Sequence, residues 1–317
     1  MNRNPFPVLR RIDPALVIVA LLLAAVIFAG CLISDRFGTV RNFTNVLEQT
    51  SALGFASLGQ ALVVLVGGIN LSIGAIVTAA TLLLAGLGEL HPALMVPIIA
   101  LTLIFGAGVG FLNGYVTLKT GVHPMIVTLG TGTMLNGVAL TYTLQPTGGV
   151  PFWVEEFAYG WLGPLPISGL TMLVCFALVT AALRYSRTGR SFLAVGGHPE
   201  AASMIGIRSA RITLLAYGAS GFFAALAGVY FVSRTGVGDP RIGDPITLAS
   251  ITPVILGGMV LGGGKGNLIG VLLGVMLVAL LSNLLNYMSV STFLQWVIQG
   301  GIIILAVVIR VQKAGRA

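Results

Sequence analysis

The chain alternates long apolar runs with short polar segments, and the polar segments hold its charged residues. An uncharged run of roughly 20 residues is long enough for a helix to cross a bilayer. Two of the runs, of 40 and 44 residues, are long enough for two crossings each. The pattern therefore predicts ten transmembrane helices. They occupy Pro14–Ser34, Gln49–Gly88 (two), Pro92–Leu118, Pro124–Leu144, Leu165–Leu183, Ile212–Ser233, Ile246–Gly264 and Gly266–Ile309 (two).

Both double runs contain a natural break between their two predicted helices. Gly67-Gly68 interrupts the first run, and residues 286–291 interrupt the second. At the first break a re-entrant stretch over Gly67–Ser72 stays open as an alternative. The pattern G-G-x-x-L-x-x-G occurs at Gly67–Gly74 and again at Gly257–Gly264. Paired glycine-rich breaks in the two halves of a transporter often lie near its pathway.

Composition agrees with a membrane protein along the whole chain. Hydrophobic residues make up 56% of the 317 residues and charged residues only 8%, with a mean hydropathy of +1.00. Soluble domains carry about 25% charged residues, so this chain has too little polar surface to be one of them. The predicted fold class is all-α: a polytopic membrane protein of about ten transmembrane helices, formed as a single transmembrane domain over residues 1–317.

The distribution of charge predicts the orientation. If the N-terminus is cytoplasmic, ten crossings place 13 of the 17 basic residues on the cytoplasmic side and seven of the nine acidic residues on the other. This is the asymmetry that the positive-inside rule describes, and it predicts that both termini are cytoplasmic. The net charge of +8 therefore follows membrane topology and does not indicate a nucleic-acid partner.

Two polar loops are longer than a simple connection requires. The outer loop, about residues 145–164, is rich in aromatic residues, including Trp153 and Trp161, and carries the acidic pair Glu155-Glu156. It is typical of an aromatic element at the lipid headgroups, and it also suits a docking surface for an external protein. The inner loop, about residues 185–211, is strongly basic.

Signals for a short helix stand inside the basic inner loop. Pro199 suits the first turn of a helix, with Gly197 or His198 at the cap, and Glu200 in that turn complements the helix dipole. Gly206 then provides a C-terminal stop. The loop therefore predicts a short helix over Pro199–Ile205, parallel to the membrane. The alternative is a solvated, positively charged connector.

The predicted membrane runs contain no Asp, Glu, Lys or Arg. Proton- and voltage-driven proteins usually keep ionisable groups in the membrane, so a pathway through this chain is expected to be lined by neutral polar groups that suit an uncharged, hydroxyl-rich solute. The candidates are Gln60, Asn70, Ser72, Thr128, Thr131, Asn136 and Asn283, with Asn286, Gln295 and Gln299 further along. Each could instead bridge packed helices, and Asn70 could cap the helix that follows it.

Glycines at four-residue spacing predict close helix packing. They occur at Gly106, Gly110 and Gly114, and again at Gly266, Gly270 and Gly274. This spacing places a stripe without side chains on one helix face. A subunit interface is the alternative reading. Cys31 and Cys175 both fall in apolar runs, so no disulfide is predicted.

Motifs for catalysis, metal binding and nucleotide binding are absent from the sequence. The three histidines are scattered over loops, so no metal site is predicted. Gly264-Lys265 is similar to part of a phosphate-binding loop, but Met259 stands where the first glycine is needed and Gly266 replaces the Ser or Thr. No catalytic residue is predicted, and a membrane-embedded enzyme is the least favoured class.

With these features the sequence resembles the permease subunits of bacterial ABC importers for sugars, of the ribose, xylose and galactoside type, which are related to branched-chain amino-acid permeases. The resemblance covers nearly the whole chain. It rests on the segments Gly67–Gly74, Asn113-Gly114, Thr128–Gly130, Thr188–Arg190, Gly196–Ala202, Gly206-Ile207, Leu256–Gly258 and Gly263–Gly266. Two positions depart from the family pattern: Asn70 replaces the usual acid, and His198 stands where Asn is common.

The resemblance implies that the short helix Pro199–Ile205 is the coupling helix, and Glu200-Ala201-Ala202 followed by Gly206 is similar to the EAA element of such permeases. It implies an inner (plasma) membrane protein with three kinds of protein partner: a cytoplasmic ATP-binding subunit, a periplasmic substrate-binding protein, and a second permease copy or paralogue. ATP and Mg²⁺ would bind the ATPase, with no cofactor on this chain. The implied ATPase-coupling residues are Thr188, Gly189, Arg190, Gly197, Pro199, Glu200, Ala201, Ala202 and Gly206.

A stand-alone secondary carrier or facilitator for a small neutral solute remains the alternative function. The basic inner loop separates the two hypotheses, because a facilitator has no need of a helix that docks an ATPase. The sequence leaves the sugar itself open.

Overall fold

The computed structural model describes residues 14–291, 293–295, 297–298 and 300–301. Over this range the named elements are almost all helical, which confirms the all-α class. The helices are α1 (Pro14–Ile33), α2 (Val40–Gln49), α3 (Ser51–Leu65), α4 (Ile73–Leu90), α5 (Met95–Thr120), α6 (Pro124–Tyr142), α7 (Phe152–Tyr159), α8 (Ile167–Tyr185), α9 (Arg187–Gly197), α10 (Pro199–Met204), α11 (Ser209–Thr235), α12 (Asp244–Leu256) and α13 (Leu268–Tyr287). A 3₁₀ turn, Pro92–Leu94, precedes α5.

Six spans within the described residues are long and apolar enough to cross a membrane. They are provided by α1, α4, the 3₁₀ turn with α5, α8, α11 and α13, while α3 and α12 are shorter apolar helices. The break predicted at Gly67-Gly68 is confirmed, because α3 ends at Leu65 and α4 begins at Ile73. Helix α13 likewise ends at Tyr287, within the second predicted break.

The span predicted at Ile246–Gly264 is wrong in its extent. Helix α12 begins two residues earlier, at Asp244, and ends at Leu256 after 13 residues. The following glycine-rich segment forms a loop, and Gly258, Gly263 and Gly264 take positive φ angles that favour glycine. An uncharged run can therefore be much longer than the helix inside it.

Helix α11 lies at the centre of the bundle and packs against α3, α4 and α5. The predicted glycine stripe on α5 makes the closest of these contacts. A methyl group at Gly110 would overlap the carbonyl oxygen of Tyr217, and one at Gly106 would lie 2.5 Å from that of Gly221. On α13, Gly270 meets the backbone of Gly257 in the same way. The packing role predicted for the stripes is confirmed at these positions, whereas Gly266 lies in the loop before α13 and not on its face.

Helix α1 packs against α13 and leaves most of its surface uncovered. The exposed side chains are apolar, among them Leu21, Phe28 and Leu32. A surface of this kind suits lipid contact, because it has no polar groups to present to water.

The end of the bundle that carries the 145–164 loop also holds structure that the hydropathy pattern did not predict. Helix α2 starts at a Thr39 cap, whose hydroxyl accepts from the Asn42 N–H, and α7 is followed by a two-stranded hairpin, β1 (Trp161–Leu162) and β2 (Leu165–Pro166). The Tyr230 hydroxyl donates to the Glu48 carbonyl at 2.8 Å. Burial raises the pKa of the Glu48 carboxyl, and nearby Arg234 opposes this shift.

Candidate functional site

The gap between α3 and α4 contains a knot of buried polar side chains. Asn70 Oδ1 accepts from the Ser72 hydroxyl at 2.7 Å and from the Ser72 N–H at 3.0 Å. Asn70 Nδ2 donates to Ser220 Oγ on α11 at 3.0 Å, and Asn113 Nδ2 on α5 donates to Ser72 Oγ at 2.9 Å. All four side chains are fully buried. They hold the broken chain between two long helices.

Thr128 on α6 completes the support of the gap. Its hydroxyl accepts from the Leu71 N–H at 3.0 Å, so it satisfies a backbone donor that a continuous helix would have paired. Gly132, near the middle of α6, packs against Ser72, and Ser220 lies near the middle of α11. Helix α4 therefore begins at the mid-level of the bundle rather than at its end.

The first turn of α12 meets the first turn of α4 at this same level. The Gly74 N–H donates to Thr247 Oγ1 at 3.1 Å, and the Gly243 N–H donates to Thr78 Oγ1 at 3.1 Å. Each helix start thus satisfies a free backbone donor with a hydroxyl of the other helix. The backbones of Gly74 and Gly243 approach so closely that a methyl group on either would overlap the other.

A cavity of about 170 Å³ opens beside these two helix starts. Its polar lining is contributed by α6 and α12, and its apolar lining includes Leu71 and Leu129. The polar residues are Thr133, Asn136, Asp244 and Thr247. Asn136 Oδ1 is buried and has no hydrogen-bond partner among the described residues. An unpaired buried acceptor beside a cavity has no protein partner for a ligand to displace.

The remaining predicted pathway residues lie elsewhere. Gln60 is fully buried on α3, with neither amide atom paired in the described part of the chain. Thr131 is partly buried on α6 and does not line the cavity. Asn283 on α13 accepts from Asn42 Nδ2 at 3.0 Å, which joins α13 to α2. Gln295 Nε2 donates to Asn286 Oδ1 at 2.7 Å, and Gln299 lies outside the described residues.

The basic inner loop consists of two helices. Thr188, Gly189 and Arg190 fall in the first turn of α9, where the Ser186 hydroxyl accepts from the Gly189 N–H. Gly197 ends α9, and α10 follows with His198 at its cap position, although the His198 side chain makes no capping hydrogen bond. Pro199, Glu200, Ala201 and Ala202 form the start of α10.

Helix α10 ends as the sequence predicts. Gly206 has a φ of 82°, and the Ile207 N–H donates back to the Ala202 carbonyl at 3.1 Å, which closes the last turn. Ala202 is buried against the bundle, whereas Met204 and Ile205 are 87% and 76% exposed. The tip of this loop thus presents two bare apolar side chains.

Three glycine-rich segments meet beside α10, and we call this contact the glycine junction. It consists of Gly67, Gly196, Gly197, Gly263 and Gly264. The Gly264 N–H donates to the Leu65 carbonyl at 2.9 Å, and a methyl group at Gly196 would overlap that same carbonyl. The junction therefore joins the end of α9 to both glycine-rich breaks, and a side chain at Gly196, Gly263 or Gly264 would meet backbone atoms there.

Several residues of the site are not among the predicted pathway residues. Asn113 and Ser220 join the buried knot, Thr78 and Thr247 pair the helix starts, and Asp244 lines the cavity. Asp244 falls in a predicted outer loop because charged residues mark the ends of the predicted spans. The expectation that only neutral groups line the pathway does not extend to this cavity.

Comparison with known proteins agrees with this architecture. Residues 42–307 match the family model described as branched-chain amino acid transport system / permease component. The ribose import permease protein RbsC of Bacillus subtilis (strain 168) is 34% identical over 86% of this chain and 85% of its own length.

Two further relatives are similar over comparable lengths. The D-allose transport system permease protein AlsC of Escherichia coli (strain K12) is 33% identical over 88% of this chain and 86% of its own. The galactose/methyl galactoside import permease protein MglC of Salmonella typhimurium (strain LT2) is 31% identical over 100% of this chain and 98% of its own length. No significant match was found among solved structures.

The extent of these matches, together with the apolar helices, identifies a multi-pass protein of the inner membrane. Its relatives are transport subunits and not enzymes. The chain belongs to the branched-chain amino acid transport system / permease component family and is a permease of the ABC-importer type.

Proposed function

We propose that this permease carries a neutral, monosaccharide-like sugar across the inner membrane as part of an ABC importer. The observation that carries the proposal is similarity over nearly the whole chain to permeases named for ribose, allose and galactose import. The polar cavity at the starts of α4 and α12 supports it, because hydroxyl, amide and carboxylate groups are suited to a hydroxyl-rich solute.

The energy for transport enters through α10 in this proposal. The exposed Met204 and Ile205 fit a groove on a separate ATPase, where burial of apolar surface would hold the two proteins together. ATP and Mg²⁺ bind that ATPase, and this chain binds no cofactor. Two such permeases, identical or paralogous, form the membrane unit.

The proposed orientation places α9 and α10 in the cytoplasm, with ten crossings and both termini on that side. The glycine junction supports it, because it joins three segments that the charge pattern assigned to the cytoplasm. At the other end, Thr147 pairs with Gly238, and both belong to segments assigned outside. A periplasmic binding protein would dock at that end, where α7 presents exposed aromatic side chains.

Coupling follows from the contacts of the glycine junction. When the ATPase subunits close, α10 moves, and α9 moves with it because the two helices are joined at His198. Gly196 of α9 lies against the end of α3, so the movement reaches α3. A shift there reaches Gly67, and five residues further along the buried knot holds Ser72 beside the cavity. Movement of this rigid backbone contact would tip the site between its two openings.

A reconstituted transport assay tests the proposal. The permease is assembled in proteoliposomes with its cognate ATPase and binding protein, and uptake of radiolabelled D-ribose, D-allose and D-galactose is measured. We expect ATP-dependent uptake of one of them. A Met204→Asp change should lower uptake roughly tenfold or more, because it would bury an unpaired charge at the ATPase contact.

The matched control is Val122→Asp, which adds the same charge at an exposed apolar residue between α5 and α6. It should keep wild-type uptake and wild-type capture of the ATPase. Equal loss in both variants would contradict the assignment of α10. Uptake by the isolated permease, without ATP, at the rate of the full importer would instead favour a facilitator.

A further inference from the structure

We propose that the cavity beside α4 and α12 is the sugar-binding site of this permease, and that the Asp244 carboxylate is its specificity-determining acceptor for sugar hydroxyls. The inference rests on the proposed function and deepens it. It adds a charged residue to a pathway that the sequence predicts to be neutral.

Asp244 lies at the mid-level of the bundle rather than at its outer end. Asp244 is the first residue of α12 and follows Gly243, whose N–H is bonded to Thr78 in α4. The start of α4 lies at the mid-level of α6 and α11, as the contacts of Gly132 and Ser220 show. The carboxylate therefore lies at the depth of the α4 start and beside the cavity, and Asp244 is exposed rather than buried in packing.

The local electrostatics favour an ionised acid at this place. Asp244 stands in the first turn of α12, and the start of a helix stabilises negative charge. A carboxylate in a membrane protein is costly unless such partners are present, and acids kept in these positions mark substrate or ion pathways.

The other polar groups of the cavity complement a sugar. The Asp244 carboxylate only accepts hydrogen bonds, and its two oxygens can receive a pair of neighbouring hydroxyls. Asn136 Oδ1 is a second acceptor, buried and unpaired among the described residues. Thr247 Oγ1 accepts from the Gly74 N–H, so its own proton remains available to donate to a sugar oxygen.

The size and apolar lining of the cavity limit what it can hold. At about 170 Å³ it is smaller than the pockets of roughly 300–1,000 Å³ that hold drug-sized ligands. Leu71 and Leu129 provide an apolar surface on which the C–H face of a sugar ring can pack. A single monosaccharide fits this description better than an oligosaccharide or a charged solute.

The first test compares Asp244→Asn with Glu89→Gln in the reconstituted importer. Glu89 is an exposed acid at the far end of α4, away from the cavity, so the two changes each remove one carboxylate charge. Uptake is measured at saturating binding protein and sugar, which isolates the permease step from capture. We expect Asp244→Asn to lower uptake about tenfold, because charged hydrogen bonds are the strong ones, and Glu89→Gln to leave it unchanged.

The ATPase rate of the assembled importer shows whether a variant is intact. Asp244→Asn should keep ATP hydrolysis stimulated by the binding protein while it loses uptake, because the defect is in the passage of the sugar. Uptake by Asp244→Asn equal to that of Glu89→Gln would overturn this inference and leave the proposed function standing. Absence of uptake of all three sugars by the wild-type importer would overturn the proposed function and this inference with it.

A second pair of variants tests the cavity should Asp244→Asn fail to assemble. Thr133 and Thr141 lie on the same helix, both are exposed, and each hydroxyl donates to the carbonyl four residues earlier. Only Thr133 lines the cavity. Thr133→Val should lower uptake about threefold and Thr141→Val should not, because only the first removes a hydroxyl within reach of the sugar. Equal uptake by the two variants would overturn the assignment of the cavity.

Discussion

The two glycine-rich breaks of this permease share a sequence pattern but not a structure. In the first, over Gly67–Gly74, polar side chains bind the broken chain to α5, α6 and α11. In the second, over Gly257–Gly264, the backbone closes on itself: the Val260 N–H donates to the Lys265 carbonyl, and the Gly263 N–H donates to that of Val260. The breaks then meet each other at the glycine junction.

Two positions in the pattern explain the difference. Asn70 and Ser72 of the first break correspond to Val260 and Gly262 of the second. A buried chain needs partners for its backbone groups, and the first break obtains them from its own side chains and their neighbours. The second has no such side chains and lies at the end of the bundle. The first break, which is held by side chains, thus lies beside the cavity. The second break, which is held by backbone hydrogen bonds, contacts α9.

The largest effect is expected where the breaks touch. Gly196→Ala places a methyl group against the Leu65 carbonyl and the Gly264 N–H, so the backbone must move. ATP-driven uptake should fall at least about tenfold, as expected when one strained contact displaces a coupled element. Gly197→Ala is the control, because its methyl group would meet nothing within 4 Å. Equal uptake by the two variants would contradict a role of the glycine junction in coupling.

A smaller effect is expected from the side chains of the first break. Asn70→Leu leaves Ser220 and the Ser72 N–H without their partners in a fully buried site. The free energy of unfolding in detergent should fall by about 2 kcal/mol. Val260→Leu, at the corresponding and exposed position of the second break, should change it by less than about 0.5 kcal/mol. A loss of the same size at Val260 would show that the breaks are equivalent.

The smallest effect is expected when a residue type of the first break is placed at the corresponding position of the second break. Gly262→Ser introduces the residue found at position 72, and a Cβ at Gly262 would have open space. The free energy of unfolding, measured by thermal denaturation, should therefore change by no more than about 0.5 kcal/mol. Gly263→Ser should cost about 1 kcal/mol or more, because Gly263 has a φ of 83° and its Cβ would lie 2.7 Å from the Gly67 nitrogen. A neutral Gly263→Ser would contradict this account.

The candidate site was predictable only where its residues were both polar and within an uncharged run. Asn70, Ser72 and Thr128 were found in this way, and the structure places them together. Asp244 was missed because charged residues defined where each span ended. A span assignment based on charge therefore places an acid in a loop even when that acid lies at the mid-level of the bundle.

The sequence by itself determined the all-α membrane class, the position of the first helix break, the packing role of the glycine stripes and the short helix at Pro199. Each depends on local composition, because hydropathy, missing side chains and capping residues act within a few residues. The tertiary structure decided which breaks meet, which polar groups pair, and where α12 begins. Those outcomes depend on contacts between residues far apart in the chain, such as Gly74 with Thr247 and Asn70 with Ser220.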